Sequence, residues 1–547
     1  MQCVAWSLHL KKILFFCLKV WFYIFLRFKF VLATAFTSFG KIMLERDATV
    51  YRGRSYYGGP DLTCEWCGAF YWFREGSVHH AGASARRPVY TGCCRGGKVS
   101  LPKFRDWPSP LDSLMRFDGH ASSNRFMRLI RQYNSMFCFT SLGTYVDQSI
   151  NIGGAPYVFK MNGVVYHRIG PLLPAEGFSP KFAQLYMVDS AEEVHSRIDV
   201  FSREDGGSLD PDPEIVSALI AMLNTHHRLV HKFRLARQSL CNPDVPKVSI
   251  HFLGDGGPHG TRFSGPTSSE VAALIVGDLT PHCRKFDVVA ESCSGVLKHI
   301  SALNCNLMPL QYPLLFPYGD KSYHLGINYV DNNEHHALIV PSAASVDQSS
   351  DDDFDCENGG TADVISGNLI TPRGQVTMLE YYSYYFHYRE GEVNPYTSCG
   401  RLSQQVSVNA YSCVESDRLE YHFRKQDKLR SETYQGVSDA MGEGNSTGKN
   451  IGVQFILHGS FTGGRRYMFL NYHDGMAICR QYGAPDLFIT FTCNPKWQEI
   501  ADALAAEPGQ TAADRPDITT RVFAMKYKEF LEGVKDGSFF GPVQAYL

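Results

Sequence analysis

The sequence lacks a surplus of charge. Its 53 Lys and Arg against 55 Asp and Glu leave a net charge of −2, so nucleic-acid binding has to come from local basic surfaces rather than from the protein's overall field. It also lacks a clean apolar run. Residues 13 to 36, ILFFCLKVWFYIFLRFKFVLATAF, are long enough to span a bilayer, but Lys19, Arg27 and Lys29 interrupt them, each at about 2.5–3.5 kcal/mol on insertion scales. A nucleotide-binding phosphate loop is missing too. GEGNSTGKN at 442 to 450 puts three residues, not four, between Gly444 and Gly448, with Asn450 where Ser or Thr would hold magnesium. None of the 20 histidines forms a His-apolar-His triplet; His79-His80, His226-His227 and His335-His336 are adjacent pairs, which on a strand would point to opposite faces. The 16 cysteines lack the regular spacing of a disulfide framework, which points to a reducing compartment and to mostly buried thiols.

What is present is a chain of 547 residues, 44% hydrophobic, long enough for three or more domains. The expected fold class is α+β and multidomain. Cys64-x2-Cys67 has the spacing of a zinc knuckle, and Cys93-Cys94 follows with His79 and His80 between. Four thiolates would hold a tetrahedral Zn2+; the alternative is free buried thiols. Arg86, Arg87, Arg95 and Lys98 form a basic cluster around the second pair, read either as a phosphate contact or as a solvated face.

Further along, YVFKMNGVVYHR at 157 to 168 reads as a hairpin turning at Asn162-Gly163. Residues 214 to 240 read as one long helix, apolar through Ile215, Leu219, Met222, Leu223, Leu229, Val230 and Phe233. Its basic side makes Arg228, Arg234 and Arg237 candidates for DNA-backbone contact. A second long helix is expected over much of 401 to 439, and Arg424 and Lys425 on it are candidates of the same kind. LQYPLLFPYG at 310 to 319 reads as a buried aromatic turn, DQSSDDDFDCE at 347 to 357 as a solvated acidic loop, and the tyrosine-rich TMLEYYSYYFHY as core.

The most legible stretch is 463 to 500. A helix carries Met468, Phe469, Tyr472, Met476 and Cys479 on one stripe and stops at Gly483. Asp486 to Cys493 alternates as a strand, with Leu487, Ile489, Phe491 and Cys493 on one face and Thr490 and Thr492 on the other. Asn494 and Pro495 then suit the cap and first position of a helix buried through Trp497, Ile500, Ala501 and Leu504. A further helix is expected from about 517 to 534, buried along Phe523, Tyr527, Phe530, Leu531 and Val534, with Gly537 as its stop. PVQAYL at 542 to 547 alternates like a strand.

SFTGG, RYM, NY, AICR-YG, PDLFITFTCNPKW and RPD within 460 to 517 resemble the Helitron helicase-like N-terminal region, as do LQYPLLFPYG, GRLSQQ at 400 to 405 and LRSETYQG at 429 to 436. FTSLG at 139 to 143, KFAQLY at 181 to 186, RRPVY at 86 to 90 and CEWCGAFYWFRE at 64 to 75 carry the same likeness, which spans roughly 50 to 547. The resemblance implies a transposon protein, nuclear, acting on single-stranded DNA through a replication-initiator (Rep) nuclease, joined in complete relatives to a helicase. Such a nuclease needs Mg2+ or Mn2+ on a His-apolar-His strand and a nucleophilic tyrosine; neither motif stands in these 547 residues, and the chain is expected to stop just before that strand. The expected organisation is an apolar extension at 1 to 45, a zinc module at 50 to 130, a mixed module at 131 to 300, a helix-rich connection at 301 to 450 and a partial Rep domain at 451 to 547. Thr490 and Thr492 would then lie beside the histidine strand as substrate-adjacent residues, and no catalytic residue is assigned. The function expected is a DNA-binding fragment without nuclease or helicase activity. The alternatives are a retained DNA-binding or interaction protein, and a protein anchored in a membrane through residues 13 to 36.

Overall fold

Helices and short antiparallel ladders alternate through the chain, and one apolar cluster draws on residues from Cys64 to Val414. The computed structural model describes residues 55–546 apart from 78–82, 85, 118–119, 148, 150, 152–156, 163–164, 188–189, 206–210, 242–247, 253–271, 277–287, 292–296, 331–373, 425–456 and 506–508. The apolar run at 13 to 36, the acidic loop at 347 to 357 and the glycine-rich 442 to 450 lie outside the described residues. Among those described, no helix is long and apolar enough to cross a membrane.

Strands β1 (Leu62–Thr63) and β2 (Phe70–Tyr71) pair with each other. Helix α1 (Leu111–Leu114) leads into α2 (Ala121–Phe137), which buries Phe126, Ile130, Tyr133 and Phe137 at helical spacing. Then follow β3 (Ser141–Leu142), β4 (Tyr145–Val146), β5 (Met161–Asn162) and β6 (His167–Ile169). The turn expected at Asn162-Gly163 runs into residues outside those described, and among the described residues the two arms do not pair with each other: β5 pairs with β4, whereas β6 lies between β3 and a later strand, β10 (Lys298–Ile300). Phe159, Met161 and Val165 make a small cluster against Val408, while Ile169 enters the main core.

Helix α3 (Ser190–Asp205) precedes α4 (Pro213–His226) and α5 (Arg228–Leu240). The single helix expected over 214 to 240 is thus two, broken at His227, whose backbone is extended (φ −86°, ψ 112°). Periodicity runs through the break, but tertiary packing overrides it. His227 is fully buried, its Nδ1 accepts from the Val230 N–H at 3.4 Å, and Gly319 (φ +69°) lies so close that a Cβ there would stand 3.3 Å from the imidazole. Helix α5 packs on the sheet of β7 (Val248–Phe252), β8 (Ala272–Val276) and β9 (Val288–Glu291), in which β7 is central; Phe233 meets Phe252 at 6.0 Å between ring centroids.

Helix α6 (Leu307–Gln311) and the following turn are buried throughout, as the sequence indicates. Helix α7 (Met378–Tyr385) is set by a capping box in which Thr377 and Glu380 exchange side-chain-to-backbone hydrogen bonds. Its tyrosines 381, 382, 384 and 385 are all buried, the last stacked on Tyr396, and α8 (Arg401–Arg424) lies against it.

The C-terminal elements are α9 (Arg465–Tyr482), α10 (Gln498–Ala505) and α11 (Pro516–Lys535). Gly483 ends α9 with a positive φ of 96°, at the residue the sequence marks. The stripe on α9 is nevertheless not core: the helix buries no residue, and Phe469 and Tyr472 are more than half exposed. Asp486 to Cys493 forms no strand and pairs with none of the described strands; Phe488 is 86% exposed. Asn494 caps a turn instead of a helix, its Oδ1 accepting from Lys496 N–H at 3.0 Å, and α10 starts at Gln498. In α10, Ile500 and Ala503 are buried while Ala501 is exposed. In α11 the buried face is rotated to Ile518, Val522 and Met525, which meet Trp72 and Ile500. The expected residues are half-buried, and Phe523, Tyr527 and Phe530 stack around Phe491. Residues 542 to 546 form no strand.

Candidate metal centre

Two turns bring four sulfurs together. In the first, Gly68 N–H donates to Cys64 C=O and Cys64 N–H to Ala69 C=O, both at 2.9 Å, and the reversal passes through Gly68 at φ +69°. The β1–β2 pair closes the base of this loop. In the second, Arg95 N–H reaches Thr91 C=O at 2.8 Å, and Arg95, Gly96 and Gly97 take successive positive φ values of 52°, 67° and 85°. That curl returns the Gly97 N–H to Cys94 Sγ at 3.3 Å. Gly97 is required twice over, by its φ and because a Cβ there would fall 2.8 Å from the Trp66 ring.

The Sγ atoms of Cys64, Cys67, Cys93 and Cys94 all lie within 4.8 Å of one another, with Cys64 to Cys94 at 3.7 Å and Cys67 to Cys93 at 3.3 Å. Tetrahedral ligands at a Zn–S distance of 2.3 Å stand about 3.8 Å apart, so this donor set fits a four-thiolate ion. Cys64, Cys93 and Cys94 are buried and Cys67 is half-buried. His79 and His80 are outside the described residues. Among the described residues, this is the one group of three or more His, Cys, Asp or Glu side chains placed to share an ion.

Without a cation the four thiols cannot all ionise, and they divide. Hydrogen bonds from Cys64, Cys93 and Cys94 hold the Cys67 thiol far below its usual range, and the nearby Arg389 guanidinium adds to this. At Cys64 the bond with Cys67 acts upward but those with Cys93 and Cys94 outweigh it, bringing the thiol to about 7. Cys93 and Cys94 are pushed up, chiefly by their bonds with Cys64 and Cys67. A divalent ion relieves this competition by favouring the thiolate at each sulfur.

Residues from far along the chain enclose the turns. Arg389, itself 4% exposed, donates through Nε to Cys67 C=O at 2.9 Å and through Nη2 to Cys67 Sγ at 3.4 Å. Its ring-facing side lies over Tyr384, 3.8 Å from the centroid, and Nη1 donates to Tyr384 C=O. His387 is held neutral by burial, its pKa pushed down to about 4. Its Nδ1–H points at Ser383 C=O, so Nε2 accepts from Tyr90 O–H at 2.7 Å. Phe70 N–H donates to Tyr388 C=O at 3.0 Å. Sequence reading missed Arg389, His387 and Tyr90; they are hundreds of positions from the cysteines they face or lie between them without a ligand's residue type.

The other sequence candidates are dispersed. Arg234 gives its guanidinium to the buried Glu193 at 2.6 Å, to Asn224 and to Tyr186 C=O. Arg228 donates to Gly319 C=O at 2.6 Å. Arg237 is half-buried on α5. The side chain of Arg424 and the whole of Lys425 lie outside the described residues. Thr490 and Thr492 are exposed on a segment that forms no strand. The stripe of α9 that the sequence marks as core is exposed at Phe469, Tyr472 and Met476 and half-buried at Met468 and Cys479.

Comparison with curated proteins finds no match for the chain. A protein-family model described as the Helitron helicase-like domain at N-terminus matches residues 381–547, from the middle of α7 through α11; the likenesses noted at 64 to 319 lie upstream of the matched region. Residues 381–547 of this chain are therefore a Helitron helicase-like N-terminal domain, resting against a four-cysteine centre supplied by residues 64 to 94.

Proposed function

We propose that this is a Helitron-type transposon protein of the nucleus that binds single-stranded DNA, with Zn2+ at Cys64, Cys67, Cys93 and Cys94 as a structural ion. Four thiolates fill a zinc coordination sphere and leave no position for water or substrate, so the centre holds the fold and performs no hydrolysis. The carrying observation for DNA is the exposed face of α9 within the family domain. Arg466, Phe469, His473, Met476 and Arg480 recur at three- and four-residue intervals, all exposed, along about 21 Å of helix. Arginines at both ends of an aromatic stripe are the elements of a single-strand platform, in which guanidinium groups meet phosphates and rings stack on bases. Tyr482 at the end of the helix and Phe488 beyond it are exposed as well.

DNA nicking by a Rep mechanism needs a divalent ion at an open site and a tyrosine in line with the phosphate. The described residues offer only the closed cysteine set, and the tyrosines of α7 are core. The protein is therefore expected to bind without cutting. The test is anisotropy of a labelled single strand across a salt series, with metal analysis and denaturing gels on the same sample. Expected are one zinc per chain, binding that falls with salt, and no protein-linked 5′ end in Mg2+ or Mn2+. Arg466→Glu with Arg480→Glu should reduce the log–log salt slope by roughly 0.7 per lost phosphate contact. A folded protein with no affinity at low salt removes the DNA reading; an adduct abolished by one Tyr→Phe change removes the non-cutting one.

A further inference from the structure

We infer that Arg389 is a positioning residue of the metal centre, and that through it occupancy of the four cysteines fixes the leading edge of the Helitron-like domain. The inference rests on the metal reading above. All four sulfurs come from residues 64 to 94, whereas Arg389 comes from the family-matched region and lies 322 positions from Cys67.

A divalent ion with four thiolates carries a formal charge of −2, and burying it requires a compensating cation or donors on the sulfurs. Two neighbouring arginines are committed elsewhere. Arg95 pairs with Glu380 at 2.5 Å, and the exposed Arg87 pairs with Glu65. Among the described residues this leaves Arg389 as the buried cation in contact with a ligand sulfur. Its fork is oriented from both sides: Nε on Cys67 C=O fixes the ligand loop, and Nη1 on Tyr384 C=O and His387 C=O fixes the end of α7. One guanidinium therefore links the conformation of the Cys67 turn, the charge on Cys67 sulfur and the backbone at 384 to 387. Phe70 to Tyr388 and Tyr90 to His387 flank it on the same junction.

When the ion leaves, the Cys67 sulfur loses the bond that fixes its place beside Arg389. The contact that orders 384 to 389 weakens with it. Occupancy is thereby read out on the family domain and not only within the cysteine turns. The effect runs both ways, since a binding coupling is reciprocal: loosening 384 to 389 must lower metal affinity.

The test uses the full chain loaded with Co2+ and then with Zn2+. Arg389→Met should weaken metal binding, measured by chelator competition, about 10–100-fold, the usual cost of losing an outer partner of a ligand. It should also move the sulfur-to-cobalt charge-transfer band to lower energy, because a sulfur relieved of an N–H donor gives up its electrons more readily. A change that acted only through packing would leave the band in place. Arg389→Lys keeps the charge without the fork and should recover part of both. In the wild type, chelation should raise hydrogen exchange at 384 to 389, and returned zinc should restore it; this arm needs no variant to fold. Wild-type affinity and an unshifted band in either variant, or exchange at 384 to 389 indifferent to metal, overturns the assignment. A wild type that takes up neither ion sinks the metal reading itself.

Discussion

Trp72→Ala tests whether the N-terminal turns and the family domain share one core. Trp72 is fully buried among Ile500, Ala503, Ile518, Val522 and Met525. Its Nε1–H donates to Gly58 C=O at 3.1 Å, and the Arg521 guanidinium lies 4.9 Å from its ring. An indole takes about 200 Å² out of water, worth about 5 kcal/mol at 25 cal/mol per Å²; that is an upper figure, since the unfolded chain already hides part of it. The lost hydrogen bond adds about 1 kcal/mol and relaxation around the cavity returns some. The net expectation is about 4 kcal/mol, or roughly three decades in the opening equilibrium at 1.4 kcal/mol each. Global denaturation of so large a chain is not two-state, so the assay is hydrogen exchange resolved to α10 and α11. Their slowest amides should exchange roughly a thousand times faster in the variant. Trp72→Phe, which keeps an aromatic ring and loses the donor, should cost far less. Protection in Trp72→Ala within threefold of wild type would show that the two parts do not share this core.

Glu75→Gln should destabilise the same unit by about 3 kcal/mol by stranding Arg521, which it pairs at 2.6 Å in a mostly enclosed site, and a double change to apolar residues should recover much of the loss; denaturant midpoints of the exchange-resolved unit check this. Gly97→Ala should cost about 1–2 kcal/mol of backbone strain beyond its clash with Trp66 and should weaken metal retention, read by chelator competition. Burial lowers His167 to about 4 and His227 to about 3 from an ordinary 6.5. The unfolded chain therefore binds more protons between those values, so stability is complete above pH 6.5 and declines as pH falls toward 4. His227→Gln should flatten that decline in urea midpoints measured from pH 7 to 4.

Local signals carried much of the chain. The stop of α9 at Gly483 and the knuckle spacing of Cys64 and Cys67 are each written within a few residues, and the structure has both; the capping box of α7 at Thr377 and Glu380 is as local but was not read. What the sequence left open depends on a partner. Periodicity on α9 marks an apolar stripe without saying whether anything covers it, and none of its members is buried. Asp486 to Cys493 alternates as a strand should, but a strand exists only with a neighbour to bond. The break at His227 arises where an otherwise continuous helical pattern meets the turn at Gly319, and Arg389 reaches Cys67 across 322 positions. No window of the sequence contains both ends of either contact.

The family match begins at Tyr381, yet the forces that hold the matched region do not begin there. That position falls inside α7, whose capping box at Thr377 and Glu380 lies upstream of it or on its edge. Further on, Lys526 reaches Glu499 at 2.6 Å and also Ser55, Tyr57 O–H donates to Glu529 at 2.5 Å, and Arg521 bonds Phe70 C=O and Glu75. Each is a buried or half-buried group of the matched region satisfied by residues 55 to 75. Cutting at 381 would leave Arg521 without its carboxylate, α7 without its cap and the Ile500, Val522 and Met525 face without Trp72. Any one of these losses is a large fraction of a domain's stability of about 5–15 kcal/mol. Residues 381–547 made alone should therefore exchange their amides as an unfolded chain does, while 55–547 should retain protected α10 and α11. Residues 55–97 supplied as a separate chain with zinc should restore part of that protection to 381–547. A protected 381–547 in isolation would show that the family domain carries its own core and that the contacts with 55 to 75 are superficial.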